Sequence, residues 1–275
     1  MSATSNTTDP AVTSSNLTWV PFFTLIKREI KRFLKVAVQT VITPMITASL
    51  YLLIFGVSLG AHIQLASGVS YLAFLIPGLV MMGCLNNAFQ NSSSSIVISK
   101  FSGDLEDLKI APITHQQILW AMAAGGLFRG AFVAFVTWVV AELFFYFSEG
   151  AFLGIQHPLV LIGFLSTGGI SFAFLGLSTA FWAKNFDQLA AVNSFILLPL
   201  IYLGGVFFSL DSLHPFWRTA ASMNPLLYFI NGVRYGFLGV SDVNPLTAFL
   251  ISLVTMIVLY VVAYFSLKRA SFVRW

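Results

Sequence analysis

A chain of 275 residues that is 57% hydrophobic, only 9% charged and +0.87 in mean hydropathy cannot be divided into an oily core and a polar shell. Its 28 phenylalanines outnumber its 10 acids, which excludes an ordinary soluble domain. Apolar runs of about 20 residues, enough to cross about 30 Å of hydrocarbon, make it an all-α polytopic membrane protein, and no nucleic-acid partner is expected.

Residues 1–18 are rich in Ser, Thr and Asn, lack an apolar period and are expected to form a disordered tail. No cleavable signal is expected. The first apolar run starts near Val36, too late and too long, and no small-residue cleavage site follows it. Residues 19–35, WVPFFTLIKREIKRFLK, set Phe22, Phe23, Ile26, Ile30, Phe33 and Leu34 at helical spacing. Lys27, Arg28, Lys31, Arg32 and Lys35 take the remaining arc, and Pro21 suits a first turn. The pattern predicts an amphipathic interfacial helix drawn to anionic lipid. Basic amphipathic helices also bind partner proteins, but the adjoining span favours the membrane.

Six spans are predicted: 36–59, 70–98, 116–147, 158–182, 189–209 and 246–267. The second and third exceed the length required, so they tilt or project. An even number puts both termini on one side. Lys27, Arg28, Lys31, Arg32, Lys35, Lys100, Lys109, Lys184, Lys268, Arg269 and Arg274 share that side, against Arg218 and Arg234 on the other. The bias makes both termini cytoplasmic.

The second span carries NNAFQNSSSS, residues 86–95. Asn86, Asn87, Gln90, Asn91 and Ser94 are costly against lipid, so they face another helix or an aqueous path. Asn193 in the fifth span poses the same choice. Gly56 with Gly60 and Gly126 with Gly130, at GxxxG spacing, allow close helix approach. The single Cys84 excludes an intramolecular disulfide and reads as a small buried hydrophobe.

Between spans two and three, Lys100, Asp104, Glu106, Asp107 and Lys109 fall within ten positions. Asp104 to Ile110 predicts a short helix with acids near its start and Lys109 near its end, stopped by Pro112. Thr114 and Gln117 form a capping box that opens the third span. From the residues alone, this is a small surface helix or a plain solvated connector.

Arg129 and Glu142 are the ionisable residues inside spans. Thirteen positions separate them, roughly 20 Å along a helix, so they cannot pair. Two readings stand for Arg129: snorkelling to the cytoplasmic interface, or contact with an anionic substrate headgroup. Glu142, near the outer end, is expected to reach water.

Residues 211–242 hold apolar pieces near 213–223 and 226–239, each too short to cross and broken at Asn224-Pro225. They predict a re-entrant extracellular helical hairpin between spans five and six, with an external surface cap as the alternative. His62, His115, His157 and His214 are scattered, and no HExxH or Cys/His spacing exists, so no metal site is expected. There is no nucleophile elbow and no GxxxxGK[ST] loop. The chain is not expected to be an enzyme or to bind ATP by that route.

Five segments in order carry a family likeness: VQTVITPMITASLYLLIFG at 38–56, FLIPGLVMMG at 74–83, LEDLKIAPITHQQIL at 105–119, GGVFFSLDSLHPFW at 204–217 and NPLLYFINGVRYGFLG at 224–239. Together they resemble the membrane subunit of type-2 ABC transporters, and within that family the YadH-like branch of bacterial inner-membrane permeases. The resemblance implies one transmembrane permease domain over 19–275, working as a homodimer or with a sister permease among membrane lipids. It implies a separate cytoplasmic ATPase carrying ATP and Mg, with no cofactor on this chain.

The family's coupling helix corresponds to the 101–112 loop, so Asp104, Leu105, Glu106, Asp107, Leu108 and Lys109 are its expected ATPase contacts. Its translocation route implies Asn87, Gln90, Asn91, Asn193 and Arg129. Export of a lipid-linked, glycan or amphipathic drug-like substrate across the bacterial inner membrane is the expected role. Other classes fit less well. An ion-coupled secondary transporter would show ionisable groups at the midplane and matching halves. A membrane-embedded enzyme would need convergent catalytic groups at one depth. A non-transporting scaffold would not stimulate a partner's ATP hydrolysis.

Overall fold

The structure, a computed structural model, describes residues 14–60, 63, 68–103 and 111–269. Every regular element among them is helical. In chain order these are α1 (Ser14–Leu34), α2 (Ala37–Leu59), α3 (Tyr71–Ser102), α4 (His115–Glu149), α5 (Pro158–Trp182), α6 (Phe186–Leu203), α7 (Pro215–Ser222), α8 (Pro225–Leu238) and α9 (Pro245–Arg269). Among the described residues, helices α2 to α6 and α9 are the six long and apolar enough to span a membrane.

Local chemistry sets the helix ends. The Ser70 hydroxyl accepts from the Ala73 amide at 3.3 Å to open α3. Gly103, at φ +85°, closes it in a conformation that favours glycine. At α4 the capping box forms as expected: the Gln117 amide donates to Thr114 Oγ1 at 3.3 Å and the Thr114 amide to Gln117 Oε1 at 2.9 Å. The fifth span is displaced from its expected bounds. Asn185 caps it, accepting from the Gln188 amide at 3.0 Å, so it starts at Phe186. It ends at Leu203 because Gly204 and Gly205, the latter at φ +84°, turn the chain.

Helix α3 is the axis of the fold. Of its most apolar window 83% is buried inside the protein, against 17% for both α6 and α9. It packs between α4 and α5 and meets α8 as well. Glycines allow the approach. A Cβ on Gly130 of α4 would lie 2.7 Å from the Cys84 carbonyl oxygen, and one on Gly176 of α5 would lie 2.5 Å from that of Phe89. Those helices touch backbone to backbone. Gly56, by contrast, faces the side chain of Leu72, and Gly60 makes ordinary contacts with Tyr71. The polar run of the second span therefore lies on the most enclosed helix, where protein groups replace water.

Helix α1 begins at Ser14, inside the expected tail, and packs along α4. Its expected apolar face divides. Phe33 is buried and Phe22, Ile26 and Ile30 partly so, whereas Phe23 and Leu34 are exposed beside Lys27 and Lys31; Leu25, outside the expected face, is buried as well. Between α6 and α9, α7 and α8 are the two short helices expected there, separated at Asn224, whose side chain accepts from the Leu226 amide at 3.1 Å. Helix α8 is mostly buried against α3, α5 and α9.

Glu142 departs from expectation: it is buried, and protein groups take its carboxylate. It accepts from Trp138 Nε1 at 3.0 Å and from the Leu153 amide at 3.0 Å. The carboxylate thus fastens the α4–α5 connection onto α4, eleven residues upstream of the amide it holds.

Candidate functional site

A groove of about 420 Å³ opens between α3, α4 and α6. Helix α3 contributes Gln90, Ser93 and Ser94, at i, i+3 and i+4. Helix α6 contributes Phe186, Leu189, Ala190 and Asn193, at i, i+3, i+4 and i+7, so one stripe of that helix lines the space. Arg129 of α4 completes it. Three of the five expected route residues, Gln90, Arg129 and Asn193, therefore share one space although they come from three helices. Asn193 also opens a π-helical turn, Asn193–Leu197, a local widening common at functional positions.

Two polar atoms on this groove are buried and unsatisfied: Arg129 Nε and Asn193 Oδ1. Neither is rescued by a neighbouring side chain. Native proteins leave few such groups, because each costs about 1–3 kcal/mol.

Asn91 and Asn87 go elsewhere. Asn91 is fully buried, and Arg32 of α1 donates to its backbone carbonyl at 2.7 Å and to its Oδ1 at 3.1 Å. Arg32 also reaches Ser94 Oγ at 3.2 Å and pairs with Glu29 at 3.1 Å. Glu29, only 1% exposed, accepts from Ser95 Oγ at 2.8 Å and pairs with Arg28 at 3.4 Å. Asn91 thus serves a lock that holds α1 onto α3. Asn87 donates to the Gly83 carbonyl of its own helix at 3.1 Å and borders a separate cavity of about 130 Å³ with Asn86 and Thr137. Glu29 escaped sequence reasoning. The available signal was its position, a lone acid in a basic arc three residues before Arg32.

The end of α3 nearest the charged loop is anchored too. Lys100 is buried, and its Nζ donates to the carbonyls of Ala180 at 2.7 Å, Phe181 at 2.9 Å and Ala183 at 3.1 Å. This ammonium caps the C-terminal end of α5, where the helix dipole is negative. Beside it Phe101 stacks on Phe186, centroids 5.6 Å apart and planes 11° apart. One turn of α3 thereby grips the end of α5 and the start of α6. Sequence reasoning had counted Lys100 among the solvated loop charges. The expected coupling residues Asp104, Leu105, Glu106, Asp107, Leu108 and Lys109 lie outside the described residues.

At the far end of α3 sits a second polar centre. Arg234 of α8 is 1% exposed and lies 3.7 Å from the centroid of the Phe74 ring. It donates to the Gly205 carbonyl at 2.8 Å and to Asn231 Oδ1 at 3.3 Å, with the Asp242 carboxylate 3.8 Å away. Asp242 in turn accepts from Ser209 Oγ at 2.9 Å and the Leu210 amide at 3.1 Å. Burial lowers the Arg234 pKa to about 10 while the Asp242 charge works in the opposite direction, so the guanidinium stays charged near neutrality. A pocket of about 600 Å³ lies beside this network.

The model of the family described as ABC-2 type transporter matches residues 21–238, from α1 to the end of α8. The chain is 37% identical over 259 residues to the inner membrane transport permease YadH of Escherichia coli (strain K12), covering 94% of this chain and 99% of that one. It is 25% identical over 235 residues to nodulation protein J of Neorhizobium galegae, covering 83% and 84%.

Proposed function

Because the chain belongs to the ABC-2 type transporter family and is a multi-pass membrane transport permease, we propose that it is the membrane half of an ATP-driven exporter. ATP and its magnesium sit on a separate cytoplasmic ATPase subunit, which docks on the segment 104–110. Two permeases, either identical or sisters, form the transporter in the bacterial inner membrane with their termini in the cytoplasm. The name of the Escherichia coli relative supports the inner-membrane location. The substrate is lipid-linked, a glycan or an amphipathic drug-like molecule, and its route passes Gln90, Arg129 and Asn193. The 211–242 hairpin dips into the outer leaflet and returns.

The observation that carries this reading is the double role of α3. Its last turn, just before the docking segment, is clamped to α5 and α6 through Lys100 and Phe101. About 15 Å further along, by helical rise, the same helix lines the groove with Gln90 and Ser93. ATP-driven closure of the ATPases shifts the docked loop. A helix held backbone to backbone against α4 and α5 passes that shift on as a rigid body, and two packed arrangements exchange.

Replacing Leu105, Glu106 and Leu108 together by alanine should abolish co-purification of the cognate ATPase and ATP-dependent transport. The inserted permease should remain at its normal level. Retained association and transport would remove the docking assignment.

A further inference from the structure

The groove has an unbalanced charge. Among the described residues no ion pair includes Arg129. On the neighbouring α1, Glu29 is taken up by Arg28 and Arg32, and Arg32 also reaches Ser94 on the groove wall. That carboxylate is engaged on the α1 side, and no acid lines the groove. A snorkelling arginine would place its whole head in water. Arg129 instead keeps Nε buried at the groove wall, without an acceptor.

The second orphan lies on a different helix of the same space. Asn193 Oδ1 is buried and unpartnered. A carboxamide offers both an acceptor and two donors, and a half-turn of the amide exchanges them, so this group can donate to an anion. Exposed Gln90 carries the same chemistry on α3. Around these groups the lining is apolar, with Phe89, Phe186, Leu189 and Ala190. One cation, two amides and a greasy wall complement a molecule that has an anionic head and a hydrocarbon body.

We propose that this groove binds the anionic headgroup of an amphiphile, with Arg129 as counter-ion, Asn193 and Gln90 orienting the head, and Phe89, Phe186 and Leu189 against its chain. The proposal rests on the transport reading only where the bound amphiphile is the transported molecule; binding itself requires no ATPase. Two sources share the chemistry, a phospholipid of the surrounding bilayer and a single-chain amphiphile arriving from solution.

The test uses the full-length permease in lipid nanodiscs. In one arm the bilayer mixes phosphatidylglycerol with phosphatidylcholine, and native mass spectrometry counts the lipids retained per chain. In the other, lysophosphatidic acid or lysophosphatidylcholine is added to permease in phosphatidylcholine discs. The wild type should retain the anionic member of a pair over the zwitterionic one by about tenfold, the lower end of what a charge-assisted hydrogen bond supplies. Arg129→Gln should remove most of that preference, leaving the share that the exposed basic arc of α1 contributes; Arg129→Lys should keep most of it, and Arg218→Gln, which removes an exposed cation elsewhere, should leave it unchanged.

Preference in the bilayer arm identifies a resident lipid, and preference confined to the added arm identifies a mobile amphiphile; either supports the site. Equal retention of anionic and zwitterionic species by the wild type in both arms would overturn it. So would an unaltered preference in Arg129→Gln. Failure of the transport reading looks different: no ATPase associates, yet the Arg129-dependent preference persists.

Discussion

Arg234 and Arg129 are both guanidiniums in a chain with few charges, and the protein treats them in opposite ways. Arg234 is sealed between a carbonyl, a carboxamide, a carboxylate and an aromatic face. Arg129 stands at a groove without an acid. Removing a charge from water costs several kcal/mol unless pairing and hydrogen bonds replace what is lost. At Arg234 the fold supplies most of that replacement from its own backbone and side chains, leaving only Nε without a partner, which fits a role in holding the 205–212 segment and α8 together. At Arg129 it leaves the replacement to something outside the chain. The contrast separates a cation that builds structure from one available for function, although both are lone arginines in their helices.

Mutagenesis can break that contrast. The largest effect is expected for Arg234→Met, which leaves Asp242 without its cation and Asn231 Oδ1 with one donor fewer. Breaking a buried pair typically costs about 3–5 kcal/mol, and the partial exposure of Asp242 places this one near the lower end. Thermal unfolding in nanodiscs should register it as a clear fall in Tm.

Lys100→Met comes next. It removes charge-assisted hydrogen bonds to three carbonyls, a loss of about 1.5–3 kcal/mol. Faster amide exchange should appear in the last turn of α5 and the first of α6, with α8 unaffected. Arg129→Gln should not destabilise at all: removing a buried cation without a partner leaves stability unchanged or raises it by about 1 kcal/mol in the same unfolding measurement. Should Arg129→Gln unfold the protein as readily as Arg234→Met, Arg129 would be a structural cation and the distinction would collapse.

How far the sequence could be read differs from place to place. The fourth span was legible to the residue, because Pro158 starts it and its apolar run ends at Trp182. The capping box at Thr114 was equally legible, since both partners lie three residues apart. Glu142 was misread: besides the local Trp138 indole it holds the Leu153 amide, and nothing local reveals that the α4–α5 connection folds back onto it. The polar α3 allowed two readings, and the fold gave each to different residues. Gln90 borders the groove, Asn91 accepts from Arg32, and Asn87 turns onto its own backbone.

Length and polarity of the apolar runs, read alone, determined the membrane class, the six spans and their order. Local capping chemistry determined most of the helix ends. These features depend on neighbours within a few residues, which the chain displays in plain order. Only the tertiary structure decided which polar group meets protein and which meets open space. A helical period tells which residues share a face, but not what that face touches. Arg32 and Asn91 stand 59 positions apart, and Lys100 and Ala180 stand 80 apart. Such pairs come into being only when helices pack, and packing at glycine contacts turned the polar stripe of α3 into one closed lock and one open groove.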